Sequence, residues 1–220
     1  MPGEPRLVLD PSVRGFPGLD AVLARVDGIS VSATNPALER FKEEILARVR
    51  ATHDLATLKD MPELRAYRDF FWRVGIDSTK VRPAAEALLR RILQGKALPS
   101  INTLVDAYNI ASVATRIALA AFDTGKLQGD VVMRMAHAGE PFLGIGMDRP
   151  LRLTGREVVN ADAKALIAVY GYRDAAQTKL THDTTSVVLM ACGVPGIPRW
   201  TVEEAARTAA EIVSRFCGRG

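Results

Sequence analysis

The chain has 220 residues, of which 48% are hydrophobic, so its length suits one sizeable domain with an ordinary buried core. No stretch approaches the roughly 18 consecutive apolar residues of a membrane span, and the start of the chain lacks the basic-then-apolar layout of a secretion signal. The formal net charge of +4 is compatible with a polyanionic partner such as RNA, and the two cysteines predict reduced, packed thiols in a cytoplasmic protein.

The first 33 residues are rich in Pro and Gly and contain two short apolar runs, Leu7–Leu9 and Ile29–Val31. We predict an edge strand at each run, because turn-forming residues surround both. A short helix is predicted between them, near Asp20–Val26.

Four helices are predicted before Phe122. Each begins with a capping residue or a proline, which the first turn of a helix favours. The predicted starts are Asn35-Pro36, Asp60 with Pro62, Pro83, and Ser100. Apolar residues three and four apart follow these starts, as in Leu38, Phe41, Ile45 and Val49, and they predict one buried face per helix.

The hydrophobic pattern changes to short strands after Asp123, where Val and Ile are enriched between Gly, Asp and Pro. The predicted strands are Val131–Met135, Glu157–Ala161, Ala165–Tyr170 and Ser186–Cys192. Thr201 and Glu204 form a capping box that predicts the start of a last helix. Helices, then strands, then a helix, without strict β-α alternation, favour an α+β fold.

The sequence lacks the short motifs of several common sites. No glycine-rich turn ends in Lys-Ser/Thr as a P-loop requires, and Gly144–Gly146 lacks the third glycine of a dinucleotide site, so we interpret it as a turn. His53, His137 and His182 have no partner ligand at metal-binding spacing. Gly193–Gly196 follows a strand without the serine of a hydrolase elbow. We therefore expect neither a metal nor a cofactor.

Three polar residues of the fourth predicted helix, Asn102, Asp106 and Asn109, fall near one helical face at spacings of four and three. One interpretation is a hydrogen-bond network that satisfies backbone groups at the helix end. The alternative is the wall of a cleft, in which an amide positions a water or a substrate carbonyl.

A second polar cluster lies between two predicted strands and contains Tyr172, Arg173, Asp174, Thr178 and Lys179. A loop there could recognise phosphate or ribose through its cations and hydroxyls. A solvated hairpin with threonine turn caps is the alternative interpretation. Arg134 and Glu140 lie near another strand end. They could form an ordinary ion pair, or they could take part in binding.

Several segments, taken together, resemble the tRNA-editing module of the bacterial phenylalanyl-tRNA synthetase beta chain. These segments are Val81-Arg82-Pro83, Leu98–Asn102, Val105–Asn109, Phe122-Asp123, Leu127–Asp130, Met135-Ala136 with Gly139-Glu140, Asp162, and Tyr172–Thr178. The resemblance rests on their order and spacing from Tyr67 through Pro195, rather than on any single motif.

The resemblance implies an editing-domain-like α+β fold with a mixed, largely antiparallel sheet, flanked by helices and bordered by a cleft. It also implies a division into an N-terminal extension packed on the main domain (1–60), the editing-type domain (61–200) and a C-terminal helix (201–220). In the synthetase, this cleft hydrolyses tRNA that carries the wrong amino acid.

The resemblance implies a freestanding trans-editing hydrolase that deacylates mischarged tRNA, including tRNA with a non-protein amino acid such as canavanine. We expect the acylated 3′ end of tRNA as partner, without DNA or a membrane. Two alternatives stay open: a binding module that holds tRNA without turnover, and a structural role in which the early helices contact a protein. Because the chain has no Lys/Arg-rich tail, the fold must assemble any basic surface.

Residue by residue, the family's Asn falls on Asn109 and its Phe-Asp pair on Phe122-Asp123. The family's editing His falls on Ala120, and the Glu that reads a tyrosine hydroxyl falls on Met190. Because Met cannot accept a strong hydrogen bond, tyrosine editing is not expected.

The sequence thus gives three groups of candidate residues. As catalytic residues we predict Asn109 and Asp106. For substrate binding we predict Glu140, Tyr172, Arg173, Asp174, Thr178 and Met190. For RNA binding we predict Arg134 and Lys179.

Overall fold

The computed structural model describes residues 4–218; residues 1–3 and 219–220, at the ends of the predicted N-terminal extension and C-terminal helix, lie outside the described residues. The helices are α1 (Pro36–Thr52), α2 (Pro62–Arg73), α3 (Ala84–Leu93), α4 (Thr103–Thr115) and α5 (Arg199–Cys217). The strands are β1 (Leu7–Leu9), β2 (Asp20–Asp27), β3 (Leu119–Asp123), β4 (Val131–Met135), β5 (Pro141–Phe142), β6 (Leu151–Arg152), β7 (Val158–Ala161), β8 (Leu166–Val169), β9 (Arg173–Asp174) and β10 (Ser186–Gly193).

Local hydrogen bonds explain where two of the helices begin. In α1, the side-chain oxygen of Asn35 accepts hydrogen bonds from the amides of Ala37 and Leu38 at 2.9 and 3.3 Å, as the sequence predicts. In α4, the cap is Asn102 rather than the predicted Ser100, because the Asn102 side chain accepts the first-turn hydrogen bond at 2.9 Å.

The strands form two main sheets and one small hairpin. One sheet has the order β1-β4-β7-β8-β9, the other β2-β10-β3, and β5 pairs with β6. Within residues 4–218, β1 and β4 are the one parallel pair. The predicted α+β fold with mixed, largely antiparallel strands is confirmed, although the strands divide between two sheets.

Strand β10 lies at the centre of the core, paired with β2 on one side and β3 on the other. Helix α5 packs against β2 and β10, and α4 packs against α5 and β3. The fully buried Tyr67 hydroxyl donates a hydrogen bond to the Cys192 carbonyl and accepts one from the Ala118 amide at 3.0 Å. Helix α2 is thereby fixed to the strands that border the site.

Three secondary-structure predictions were wrong. The segment predicted as a helix near Asp20–Val26 is strand β2, because its pairing with β10 overrides the helix propensity of its Ala, Leu and Arg residues. Ile29–Val31 forms no strand, and Ile29 makes only an isolated bridge to Gly218. The last helix begins at Arg199, without a capping hydrogen bond from Thr201.

The N-terminal residues are built into both sheets. Strand β1 adds an edge to the five-stranded sheet, and β2 adds an edge to the three-stranded sheet. Within residues 4–218, no helix combines the length and apolar composition that crossing a bilayer requires.

Candidate functional site

A cleft of about 230 Å³ opens where α4, β3 and the β8–β9 turn meet. Side chains from all three elements line it, including Tyr108, Asn109, Ala120, Tyr172, Arg173 and Asp174. Four of the predicted site residues, Asn109 and the run Tyr172–Asp174, are therefore brought together. Within residues 4–218, no three His, Cys, Asp or Glu side chains are grouped to hold a metal ion.

Asn109 presents an amide on the cleft wall without a partner in the fold. Its side chain is partly buried and makes no hydrogen bond to residues 4–218. An amide offers two donors and one acceptor, so it can position a water or a carbonyl oxygen. The side chain is thus free to bind a ligand.

Asp174 places a carboxyl group in the same cleft. One carboxylate oxygen accepts a hydrogen bond from the Ala121 amide at 3.1 Å, which links β9 to β3. Burial nevertheless raises the pKa of Asp174 to about 7, and the carboxyl forms no ion pair with a cation of residues 4–218 that would compensate the lost hydration. The group therefore changes charge near neutral pH.

Arg173 is held against the loop after β5. Its guanidinium donates a hydrogen bond to the Ile145 carbonyl at 2.6 Å and lies 5.2 Å from the centre of the Tyr172 ring. Its Nε is buried and has no acceptor among residues 4–218. A Cβ at Gly144 would collide with the Arg173 stem, so the absence of a side chain there permits this packing.

Asp106 lies on α4 but does not line the cleft, contrary to the sequence-based prediction. Its buried carboxylate accepts hydrogen bonds from the Ser100 hydroxyl at 3.1 Å and the Ile101 amide at 3.0 Å. The Lys42 ammonium lies 3.4 Å away and is itself buried. Asp106 therefore stabilises the start of α4, and the structure favours the hydrogen-bond-network interpretation for this residue.

Glu140 and Arg134 also lie outside the cleft and form a bidentate ion pair, with distances of 3.0 and 2.6 Å. The hydrogen bonds from Arg134 hold the pKa of Glu140 below its usual value, and the His137 amide adds a further hydrogen bond. Each group satisfies the other, which matches the ion-pair interpretation.

The model of the B3/4 domain family matches residues 66–218. The chain belongs to the B3/4 domain family. Its resemblance to the phenylalanyl-tRNA synthetase beta chain is confirmed by three curated relatives, each a phenylalanine–tRNA ligase beta subunit. They come from Psychrobacter arcticus (35% identical over 92 residues), Nocardia farcinica (34% over 117) and Corynebacterium glutamicum (29% over 197).

The matched segments cover 42%, 53% and 87% of this chain, but 11%, 14% and 22% of those relatives. This B3/4 domain thus spans less than a quarter of each relative. An N-terminal fragment of the phenylalanyl-tRNA synthetase beta subunit from Pyrococcus horikoshii shares the fold, with a TM-score of 0.53 at 11% identity. That match covers 98% of this chain and 50% of the fragment.

Ala120 and Met190 are directly opposite one another on β3 and β10 of this B3/4 domain. Met190 is fully buried, and its sulfur lies 3.6 Å from the side-chain nitrogen of Asn160. Ala120 lines the cleft, whereas Met190 does not, contrary to the prediction. The cleft wall is therefore apolar at Ala120, and the buried Met190 opposite it on β10 presents no carboxylate to the cleft.

Two further predicted residues of the B3/4 domain lie away from the cleft. Thr178 is 1% exposed, and its hydroxyl has no hydrogen-bond partner among residues 4–218. Lys179 is exposed, and its carbonyl accepts a hydrogen bond from Lys126 at 2.6 Å. Neither side chain lines the cleft, because the chain packs beside β8 after Asp174.

Sequence reasoning missed Tyr108 and Cys192 as cleft residues. Burial and the neighbouring Asp174 raise the pKa of the Tyr108 phenol, so it stays neutral and can donate a hydrogen bond. The position of Tyr108 next to Asn109, within the segment Val105–Asn109, was the available signal. No sequence motif marked Cys192. In the fold, burial raises the pKa of its thiol, as is typical of an unreactive, packed cysteine.

Proposed function

We propose that this B3/4 domain is a trans-editing deacylase that hydrolyses the ester bond of mischarged aminoacyl-tRNA in the cytoplasm. The observation that supports this proposal most strongly is the cleft itself. It combines an unpaired amide, Asn109, with a carboxyl group, Asp174, whose pKa is about 7. Such a set can hold an aminoacyl group by its carbonyl and by its ammonium group.

The proposed reaction needs little chemical assistance, since an aminoacyl ester is already activated. A water oxygen attacks the acyl carbon, the bond from that carbon to the ribose oxygen breaks, and the ribose oxygen takes up a proton. The products are a free amino acid and a tRNA with a terminal hydroxyl. Alignment of water and carbonyl lowers such a barrier by several kcal/mol, on the order of 5 or more.

Each cleft residue has one proposed task. Asn109 orients the attacking water or the acyl carbonyl, and Arg173, which lines the cleft, binds a ribose or phosphate oxygen through the guanidinium donors that the Ile145 carbonyl leaves free. Asp174, when ionised, accepts a hydrogen bond from the ammonium group or from a cationic side chain of the amino acid. Tyr172 borders the amino-acid space. Asp174 is therefore the residue through which the cleft would favour a basic amino acid.

A panel of mischarged tRNAs tests the proposal, with release of radiolabelled amino acid as the measurement. We expect turnover above the buffer rate for at least one ester, and loss of that turnover in Asn109→Ala. Lys164→Ala is the control, since Lys164 is exposed on the β7–β8 turn and lines no part of the cleft. Buffer-level release for every ester with the parent protein contradicts the enzymatic function.

A binding function without turnover is the second candidate, and the apolar pair Ala120 and Met190 favours it. The family has polar groups at these positions, so this chain has fewer ways to polarise a water. Tight binding of aminoacyl-tRNA that weakens as salt rises, with no release of amino acid, would select the binding function.

A further inference from the structure

A second concave surface, which we call the basic groove, runs along α3 and has a volume of about 480 Å³. Six cations line it: Lys80, Arg82, Arg90, Arg91, Lys96 and Arg173. Within residues 4–218, no Asp or Glu is among its lining residues. Since the whole chain carries a net charge of only +4, this surface concentrates more positive charge than the molecule has in excess.

Four of these cations have no acidic partner in the described part of the chain, and one of the four, Arg173, also lines the cleft. The other three line the groove alone. Arg82, Arg91 and Lys96 form no ion pair within 4.0 Å with any carboxylate of residues 4–218. All three are exposed, so their charges face the groove and the solvent. A cluster of unpaired like charges is unfavourable by itself and is relieved by a bound polyanion.

Two other groove cations are only partly neutralised. Arg90 lies 3.6 Å from Glu86, but that buried carboxylate is already engaged by Arg68 at 2.7 Å. Lys80 lies 3.7 Å from Asp77 in an exposed pair, which contributes little attraction in water.

Helix electrostatics does not explain the cluster. Arg90 and Arg91 occupy the last turn of α3, where cations stabilise the helix dipole. Arg82 lies before the helix, however, and Lys96 lies beyond the turn at Gly95. Arg82 therefore opposes the helix dipole, and the dipole does not account for the whole cluster.

The basic groove adjoins the cleft. Tyr172 and Arg173 line both cavities, and the Tyr172 ring and the Arg173 guanidinium lie 5.2 Å apart at the junction. A linear polyanion that follows the groove as far as Tyr172 and Arg173 would therefore reach the edge of the cleft that Asn109 and Asp174 line. The aromatic ring at the junction offers a face on which a base can stack.

We infer that the basic groove binds the sugar-phosphate backbone of the single-stranded 3′ end of tRNA and directs its last nucleotide into the cleft. The inference deepens the proposed function and rests on it for the position of the acylated end. The groove is concave and includes none of the large exposed apolar side chains, such as Trp72 and Trp200, that insertion into a lipid surface would use.

The test replaces together the three unpaired cations that line the groove but not the cleft, as Arg82→Gln, Arg91→Gln and Lys96→Gln. The probe is a fluorescent single-stranded RNA that ends in CCA, and the readout is its affinity across a series of salt concentrations. A matched control removes three exposed cations outside the groove and the cleft, as Arg14→Gln, Arg50→Gln and Lys164→Gln.

We expect the groove variant to flatten the plot of log affinity against log salt by about 2, because each lost phosphate contact on a single strand removes roughly 0.7. At 0.1 M salt the affinity should fall roughly 100-fold, if the two proteins converge near 1 M salt. The control variant should keep the parent slope. An unchanged slope and affinity in the groove variant overturn the inference.

The two proposals can fail separately. If the parent binds the RNA through the groove but releases no amino acid from any ester, the deacylase function fails and the groove assignment stands. If the parent deacylates tRNA and the groove variant does so with unchanged KM and unchanged RNA affinity, the groove assignment fails and the deacylase function stands. Circular dichroism of the groove variant checks that it is folded.

Discussion

Two polar side chains one turn apart on α4 have opposite surroundings. Asp106 is buried and satisfied by a hydroxyl, a backbone amide and the Lys42 ammonium. Asn109 faces a cavity and has no partner among residues 4–218. The difference shows that a polar residue on a buried helix is a candidate for ligand binding only where the fold leaves its hydrogen bonds unmade.

Two acidic residues, Glu140 and Asp174, also differ in whether the fold satisfies them, and their pKa values reflect the difference. Glu140 is paired with Arg134, which lowers its pKa and keeps it charged. Asp174 accepts one amide hydrogen bond and forms no ion pair in the described part of the chain, and burial raises its pKa to about 7. The paired acid stabilises a corner of the fold, whereas the unpaired acid is available to a cationic ligand near neutral pH.

Asp106→Ala should give the largest effect, and the effect should be on stability. It removes the acceptor for two hydrogen bonds and one of the two carboxylates beside the buried Lys42, which keeps Glu39 at 2.7 Å, so the free energy of unfolding should fall by about 3 kcal/mol. Urea denaturation measures this change. A midpoint equal to that of the parent would show that Asp106 is not structural, and would return it to the list of functional candidates.

Asn109→Ala should separate function from stability on the same helix. Removal of one group that positions the reacting carbonyl lowers kcat by roughly 100-fold. The free energy of unfolding should change by less than about 0.5 kcal/mol, because no intramolecular hydrogen bond is lost. Single-turnover deacylation and urea denaturation give the two numbers; a variant that is destabilised but fully active contradicts the comparison.

Asp174→Asn should produce an intermediate effect that depends on pH. In the parent, kcat/KM corrected for spontaneous hydrolysis should rise as pH increases through about 7, since only the ionised carboxylate attracts an ammonium group. In the variant this rise should disappear, with roughly tenfold lower activity at pH 8. An identical pH profile in the two proteins would exclude Asp174 from substrate binding.

The raised pKa of Asp174 also predicts how the free energy of unfolding changes with pH. Between pH values of about 4 and 7, folded Asp174 keeps a proton that the unfolded chain has lost, because its pKa is raised from 3.8 to about 7. The free energy of unfolding should therefore fall as pH rises across this window and then level off. Asp174→Asn should remove this component, which urea denaturation at several pH values can measure.

Glu140→Gln should have the smallest effect on activity. The Glu140–Arg134 pair lies outside the cleft, so kcat/KM should remain within about twofold of the parent, with a loss of stability of roughly 1 kcal/mol. The deacylation assay used for Asn109→Ala measures it. A large loss of activity at unchanged stability would show that substrate extends beyond the cleft to this corner.

Local signals in the sequence were sufficient for much of the fold. The Asn35-Pro36 start and the Val-rich strand Val131–Met135 were correctly predicted, because capping and β propensity act on neighbouring residues. Strand β3 was missed, since Leu119–Asp123 is short and rich in Ala. Its pairing with β10, almost 70 residues away, determines its conformation.

The candidate site was predictable only in part. The family resemblance and the polar runs correctly grouped Asn109 with Tyr172–Asp174. They also included Glu140 and Thr178, because a sequence does not show which polar groups the fold will satisfy or bury. The basic groove escaped notice, since five cations between residues 80 and 96 resemble the solvated face of an ordinary helix.

The hydrogen bond from the Ala121 amide to Asp174 joins the edge strands of the two sheets, β3 and β9. The cleft therefore lies at a seam between two separately paired layers. A ligand that contacts both β3 and β9 should therefore suppress local opening of the two strands together. Hydrogen–deuterium exchange should then slow together at residues 119–123 and 173–174, even though these segments belong to different ladders.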